Sequence, residues 1–137
     1  MATQPGNDNN PQQLRGRALK DVFTDTMMIG EYREYRDLTH TYNFTEYHHA
    51  DGTTDYTEGN KKLDGRWKII GGDKICYTYP HSHYYDSTYC FFVFKQDKCY
   101  YKFSLRQMTL HGPRNWNRWS SRAVRKGDGG ACGDGVS

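Results

Sequence analysis

Apolar and polar positions along this chain change period near residue 25. Before that point Leu14, Ala18, Val22 and Phe23 recur at helical spacing within LRGRALKDVF, which predicts a short helix weakened by Gly16. A helix this short must dock on other structure to be stable. Beyond Asp25 the period becomes two. TMMIGEYREY reads as a strand, and in THTYNFTEYHH the residues Tyr42, Phe44, Glu46 and His48 share one face. Asp51-Gly52 is a hairpin signal that returns the chain through TTDYTEG. Asp64-Gly65 is expected to open the next strand, GRWKII, with Trp67 and Ile69 on one face. Gly71-Gly72-Asp73 turns it into KICYTYP, where Ile75, Tyr77 and Tyr79 point together and Pro80 ends the run. After the loop HSHYYDST come YCFFVFK and, through Gln96-Asp97, KCYYKFSL.

About seven strands joined by short turns make an antiparallel meander. With one aromatic face it must curl into a small barrel or half-barrel, and the N-terminal helix is the natural plug. The expected organisation is a polar arm over 1–12, a single all-β domain over 13–110, and an extended basic Trp/Arg tail over 111–137 that ends in glycines.

Composition sharpens this picture. In 137 residues only 35% are hydrophobic, yet 12 Tyr, 6 Phe and 3 Trp supply large rings, so a core must be built from aromatics. No run reaches the roughly 18 apolar residues that a membrane-spanning helix needs, and no heptad persists. The net charge of +3 is too mild to mark the whole chain as nucleic-acid binding. Its distribution says more. Six cations and no acid lie between Ser104 and Lys126, which leaves the remainder slightly acidic.

Four cysteines in so short a chain point to an oxidising compartment, although MATQPGNDNNPQQ carries no apolar leader and export would require one already removed. If the strands around Cys76 and Cys90 are antiparallel neighbours, the two residues fall opposite each other at a separation that suits a disulfide. A turn at Gln96-Asp97 would place Cys99 opposite Phe94, a poor position for reaching Cys90. Cys99 then pairs with Cys132, or both are free. Free thiols throughout would instead indicate the cytoplasm.

The string GRWKIIGGDKICYTYP from Gly65 to Pro80, followed by YCFFVF from Tyr89 and then CYYKF, resembles the DUF995 family of small secreted proteins, mostly alphaproteobacterial. The upstream EYHHADGTT from Glu46 fits the same pattern. The resemblance covers about residues 19–103. It implies a small β-fold exported to the periplasm, and it carries no catalytic residue that could be transferred.

Candidate chemistry is sparse. His81, His83 and Asp86 could hold a metal ion, joined by His48 or His49 if the loops meet, but the same residues read more simply as a solvated loop, and no cofactor is assigned. Glu31, Glu34, Asp37 and Glu46 could supply a carboxylate pair, yet no nucleophile elbow, phosphate loop, zincin or dinucleotide motif accompanies them, so catalysis is not expected. Arg114, Trp116, Arg118, Trp119, Arg122 and Arg125 mix the residue types that most often anchor interfaces. They point to a protein partner in a larger assembly, to an anionic surface, or less directly to nucleic acid. The expected role is thus a non-catalytic, exported accessory subunit docking through its terminal arms. The alternative is a lipocalin-like carrier with a ligand behind the tyrosines, which otherwise simply fill the barrel.

Overall fold

A computed structural model describes residues 11–80, 82 and 87–133. The strands run β1 (Gln12–Gln13), β2 (Thr26–Arg36), β3 (Thr41–His48), β4 (Thr53–Glu58), β5 (Lys61–Ile70), β6 (Lys74–Thr78), β7 (Tyr89–Gln96), β8 (Cys99–Ser104), β9 (Met108–Thr109), β10 (Gly112–Pro113) and β11 (Ser121–Arg125), with one helix, α1 (Gly16–Phe23), between the first two. Strands β2 to β8 form an up-and-down meander. Strand β11 then inserts antiparallel between β8 and β2, so that eight strands close into a barrel with no free edge around its girth. The expected all-β small barrel is therefore present, fully closed.

Closure depends on the segment read from sequence as a free tail. Val124 lies opposite Ile29 and Ala123 opposite both Gly30 and Tyr100, which makes residues 121–125 a barrel stave. Ser121, Ala123 and Val124 are buried. The physical reason is the open sheet edge. Strands β2 and β8 would otherwise each present a row of unpaired backbone donors and acceptors, and the short run SRAVR satisfies both.

Alternation along the strands sorts side chains into two cores. Inward go Met28, Phe44, Tyr56, Trp67, Ile75, Tyr77, Val93 and Tyr100. Outward from β7, β8 and β11 go Phe94, Tyr101, Phe103 and Val124, which form a second cluster with the disulfide-bonded Cys99 and Cys132. This outer face is covered by the connection of residues 105–120. Its Trp116 lies edge-on to both Phe94 and Phe103, with ring centroids 5.1 and 5.7 Å away. Five consecutive residues of β8 are consequently buried, on both faces of the strand.

The helix plugs one end, as its docking requirement predicts. Its contacts are not those of the expected stripe. Leu19 and Phe23 are fully buried, Ala18 is exposed, and Leu14 precedes the helix and donates its backbone N–H to Val93. Gly16, at φ +53°, starts the helix, and its N–H bonds the carbonyl of Gly72 in the β5–β6 turn. The edge of the Phe23 ring meets His48 at 5.1 Å, capping the barrel floor.

Two turns differ from expectation. The β4–β5 reversal lies at Gly59-Asn60, while Asp64 and Gly65 sit within β5 opposite Asp55 and Thr54. Gly65 is small for a packing reason, because a Cβ there would stand 2.6 Å from the Tyr79 ring. The β7–β8 turn is Asp97-Lys98, so Cys99 opposes Gln96 rather than Phe94. Gly30 is under similar pressure. An added Cβ would fall onto the Phe44 ring and 2.9 Å from the Arg122 carbonyl oxygen. Gly30→Ala is expected to destabilise the barrel by about 1–3 kcal/mol, the usual cost of overpacking, read as a lower urea midpoint at unchanged slope.

Candidate functional site

Away from the helix the barrel is not filled. A cavity of about 290 Å³ is walled by Tyr32, Phe44, Tyr56, Tyr77, Tyr79 and Phe91, with Glu46 and Lys102 among them, and its lining reaches the strand ends at Arg36, Tyr89 and Ser121. Strand parity puts these groups here. Glu46 follows Phe44 by two along β3, and Lys102 follows Tyr100 by two along β8, so both charged side chains share the inner face with rings.

Three hydrogen-bonded groups line the space. Deepest, the Lys102 ammonium donates to the Tyr77 hydroxyl at 2.7 Å, and Tyr77 lies 2.8 Å from His48 Nε2. His48 Nδ1 is 3.3 Å from the Thr26 carbonyl oxygen, which can only accept. These partners assign the protons. Lys102 gives to Tyr77, Tyr77 gives to Nε2, and the Nδ1–H gives to the backbone. Burial first, and then the Lys102 charge, hold the His48 imidazole down to about 3, in keeping with that neutral tautomer.

At the second position the Tyr79 hydroxyl donates to Glu46 Oε2 at 2.8 Å. At the third, the Tyr32 and Tyr56 hydroxyls are 2.6 Å apart and Tyr56 donates to Glu58 Oε1 at 2.5 Å. The other Glu58 oxygen accepts from Thr39 at 2.5 Å and from Arg36 Nε at 3.3 Å. Burial alone would raise the Glu58 carboxyl, but the Thr39, Tyr56 and Arg36 contacts outweigh it and keep the group below its ordinary range.

The two remaining charges are poised differently. Burial pushes the Glu46 carboxyl up, with Lys102 and the Tyr79 hydrogen bond opposing. Burial likewise brings the Lys102 ammonium down to about 8, with Glu46 pulling it back. Burial also pushes the Tyr32, Tyr56, Tyr77 and Tyr79 phenols up, so the wall stays protonated and able to donate. A space lined by rings and neutral hydroxyls, with the Glu46 carboxyl and the Lys102 ammonium inside and the Glu58-paired Arg36 guanidinium at its edge, can hold a small polar aromatic molecule.

The residues singled out from sequence are scattered. Trp116 packs on the outer core. Trp119 stacks under Arg122, whose guanidinium carbon is 4.6 Å from the ring centroid and whose Nε donates to Glu31 at 2.7 Å. Arg125, at the end of β11, is half-buried. Four of the six expected docking residues are thus engaged within the chain, because the barrel's own outer face offers what a partner would offer. Arg114 and Arg118 remain exposed.

Glu34 pairs with Arg33 at the surface, and His49 with Asp55. His81, His83 and Asp86 lie outside the described residues, and no group of three or more metal-ligating side chains forms among the described residues. Cys76 and Cys90 stand opposite each other across β6 and β7 and are bonded, and Cys99 is bonded to Cys132. Lys102 is the residue sequence reasoning missed. Its signal was a lone cation on the inward parity of an aromatic strand.

Fold and cavity together define a closed, eight-stranded up-and-down β-barrel with a helix-plugged floor and an aromatic interior that carries Glu46 and Lys102. No family model matches the chain, and no match is found among curated proteins or solved structures. The likeness to the DUF995 family accordingly rests on the motifs quoted above.

Proposed function

We propose that this protein binds a small polar aromatic molecule inside the barrel and acts as a carrier or sequestering protein, with no catalytic residue assigned. One observation carries the proposal. About 290 Å³ is left open beside Glu46 and Lys102 in an interior otherwise packed with aromatic side chains. A barrel built only for stability gains from closing such a space, since each unfilled methyl-sized void costs about 1 kcal/mol. Two disulfides favour an oxidising, extracellular or periplasmic setting, and no helix among the described residues is long and apolar enough to cross a membrane.

A thermal-shift screen of small aromatic compounds tests the proposal. A compound at about 100 times its Kd adds roughly 2.7 kcal/mol and raises the melting temperature by several degrees in a chain of this size. If no compound in a broad set of this size class moves the melting temperature, the carrier role is wrong. A second role is favoured by one surface feature. Arg106, Arg114 and Arg118 are exposed on the covering segment, with Arg114 Nε donating to the Arg106 carbonyl at 3.2 Å, and could meet an acidic protein partner or an anionic surface.

A further inference from the structure

Two buried charges of opposite sign face one cavity without touching. The Lys102 ammonium has three N–H donors, and among the described residues one acceptor oxygen, that of Tyr77, reaches it. Its remaining surroundings are ring faces, with Nζ 4.5 Å from the Tyr77 centroid and 5.3 Å from that of Phe23. Glu46 accepts a hydrogen bond from the neutral Tyr79 hydroxyl, has the neutral Thr54 hydroxyl beside it, and makes no ion pair among the described residues. Both side chains are almost completely buried. Each charge out of water is costly unless it is paired, and breaking the balance by removing one partner is costlier still.

The contrast with the neighbouring Glu58 is informative. There the protein supplies its own cation, Arg36, together with two hydroxyls, and the carboxylate is satisfied from within the fold. Glu46 and Lys102 receive no such completion from the described residues. Water can serve while the cavity is empty of ligand. An occupant displaces that water and must replace what it gave. A ligand with one charge would neutralise one group and strand the other. A neutral ligand would strand both.

Resting on the carrier role argued above, we propose that the ligand is a small zwitterion of aromatic amino-acid size, its cationic group on Glu46 and its anionic group on Lys102. The volume agrees with this size. At about 290 Å³ the cavity lies at the small end of the roughly 300–1,000 Å³ usual for ligand pockets, which suits a molecule of this size. The flat body of such a molecule would lie between Phe44, Tyr56 and Phe91, rings already on the wall.

The test is calorimetric titration of the whole protein at neutral pH with four probes that share one ring and differ in charge: phenylalanine, phenethylamine, 3-phenylpropionate and 3-phenylpropanol. Phenylalanine is expected to bind at least about tenfold more tightly than any of the other three, the ratio that one added hydrogen bond to a charged group supplies. Glu46→Gln should bring phenylalanine down to the level of 3-phenylpropionate, and Lys102→Met down to the level of phenethylamine. The comparison among probes needs only the wild-type protein, so a variant that fails to fold leaves it intact. Tighter binding of phenethylamine, 3-phenylpropionate or 3-phenylpropanol would overturn the zwitterion while keeping the carrier. The zwitterion is overturned in the same way if none of the four binds but other compounds shift the melting temperature. If nothing binds in either experiment, both proposals fail together.

Discussion

Raising the pH above about 10 should unfold this protein abruptly, with four tyrosines ionising only as the barrel opens. Tyr32, Tyr56, Tyr77 and Tyr79 sit inside the barrel, and burial pushes each phenol above its ordinary value of 10.0. The sign follows from proton binding. Above pH 10 the unfolded chain releases these protons and the folded chain keeps them, so stability is lost as pH rises. Each group removes about 1.4 kcal/mol per pH unit, and four acting together remove roughly 5 to 6. A domain of ordinary stability, about 5–15 kcal/mol, is exhausted within one to three units.

Lys102 acts in the opposite direction over a lower window. Its ammonium, brought down to about 8 by burial, loses its proton in the folded state first, so stability rises between about pH 8 and 10.5 and gains nothing further beyond that. The expected profile is a gentle rise and then a collapse. Tyrosinate absorbance and near-ultraviolet circular dichroism followed through an alkaline titration would show the late ionisation coinciding with the loss of fold. Smooth ionisation of all 12 tyrosines in a protein that stays folded would show that the wall is not buried as described.

Reduction should be nearly as damaging. The Cys76–Cys90 bond closes a loop of 14 residues' separation and the Cys99–Cys132 bond one of 33, which the chain-entropy relation values at about 3 and about 4 kcal/mol. Replacing either pair by serine is expected to lower the melting temperature by about 10 °C, and removing both should leave little folded protein at 37 °C. The two losses have different consequences. The first opens the β6–β7 pairing beside Tyr77, whereas the second frees residues after β11 from the outer core and loosens the stave that closes the barrel. Intact mass should rise by four hydrogens on reduction. An unchanged mass and melting temperature would mean free thiols and would remove the case for an oxidising compartment.

Much of the barrel was legible because its inner face alternates. The β3 run through Phe44, Glu46 and His48 and the β6 run through Ile75 and Tyr77 announced their parity, and the Cys76–Cys90 register followed from strand adjacency. Strand β11 was not legible. SRAVR is short, carries two arginines in five residues and is flanked by Gly-Pro and indoles, and what makes it a strand is two open edges contributed by residues about 20 and 90 positions earlier. Within the Trp/Arg segment the packing of Trp116, Trp119 and Arg122 on the chain's own outer face was not legible, because the acid that answers Arg122 is Glu31, 91 residues away. The cavity was half legible. Glu46 drew notice as one carboxylate among several, but its relation to Lys102 requires knowing that β3 and β8 face each other across a closed barrel.

Binding is expected inside the barrel rather than on the basic covering segment. The most direct test is nuclear magnetic resonance mapping of side-chain shifts as the tightest small-molecule probe is added. Perturbation of Phe44, Tyr56, Tyr77, Phe91 and the Lys102 side chain is expected, with Arg114, Trp116 and Arg118 unmoved. Shifts confined to Arg114, Trp116 and Arg118, with the interior rings unchanged, would contradict it.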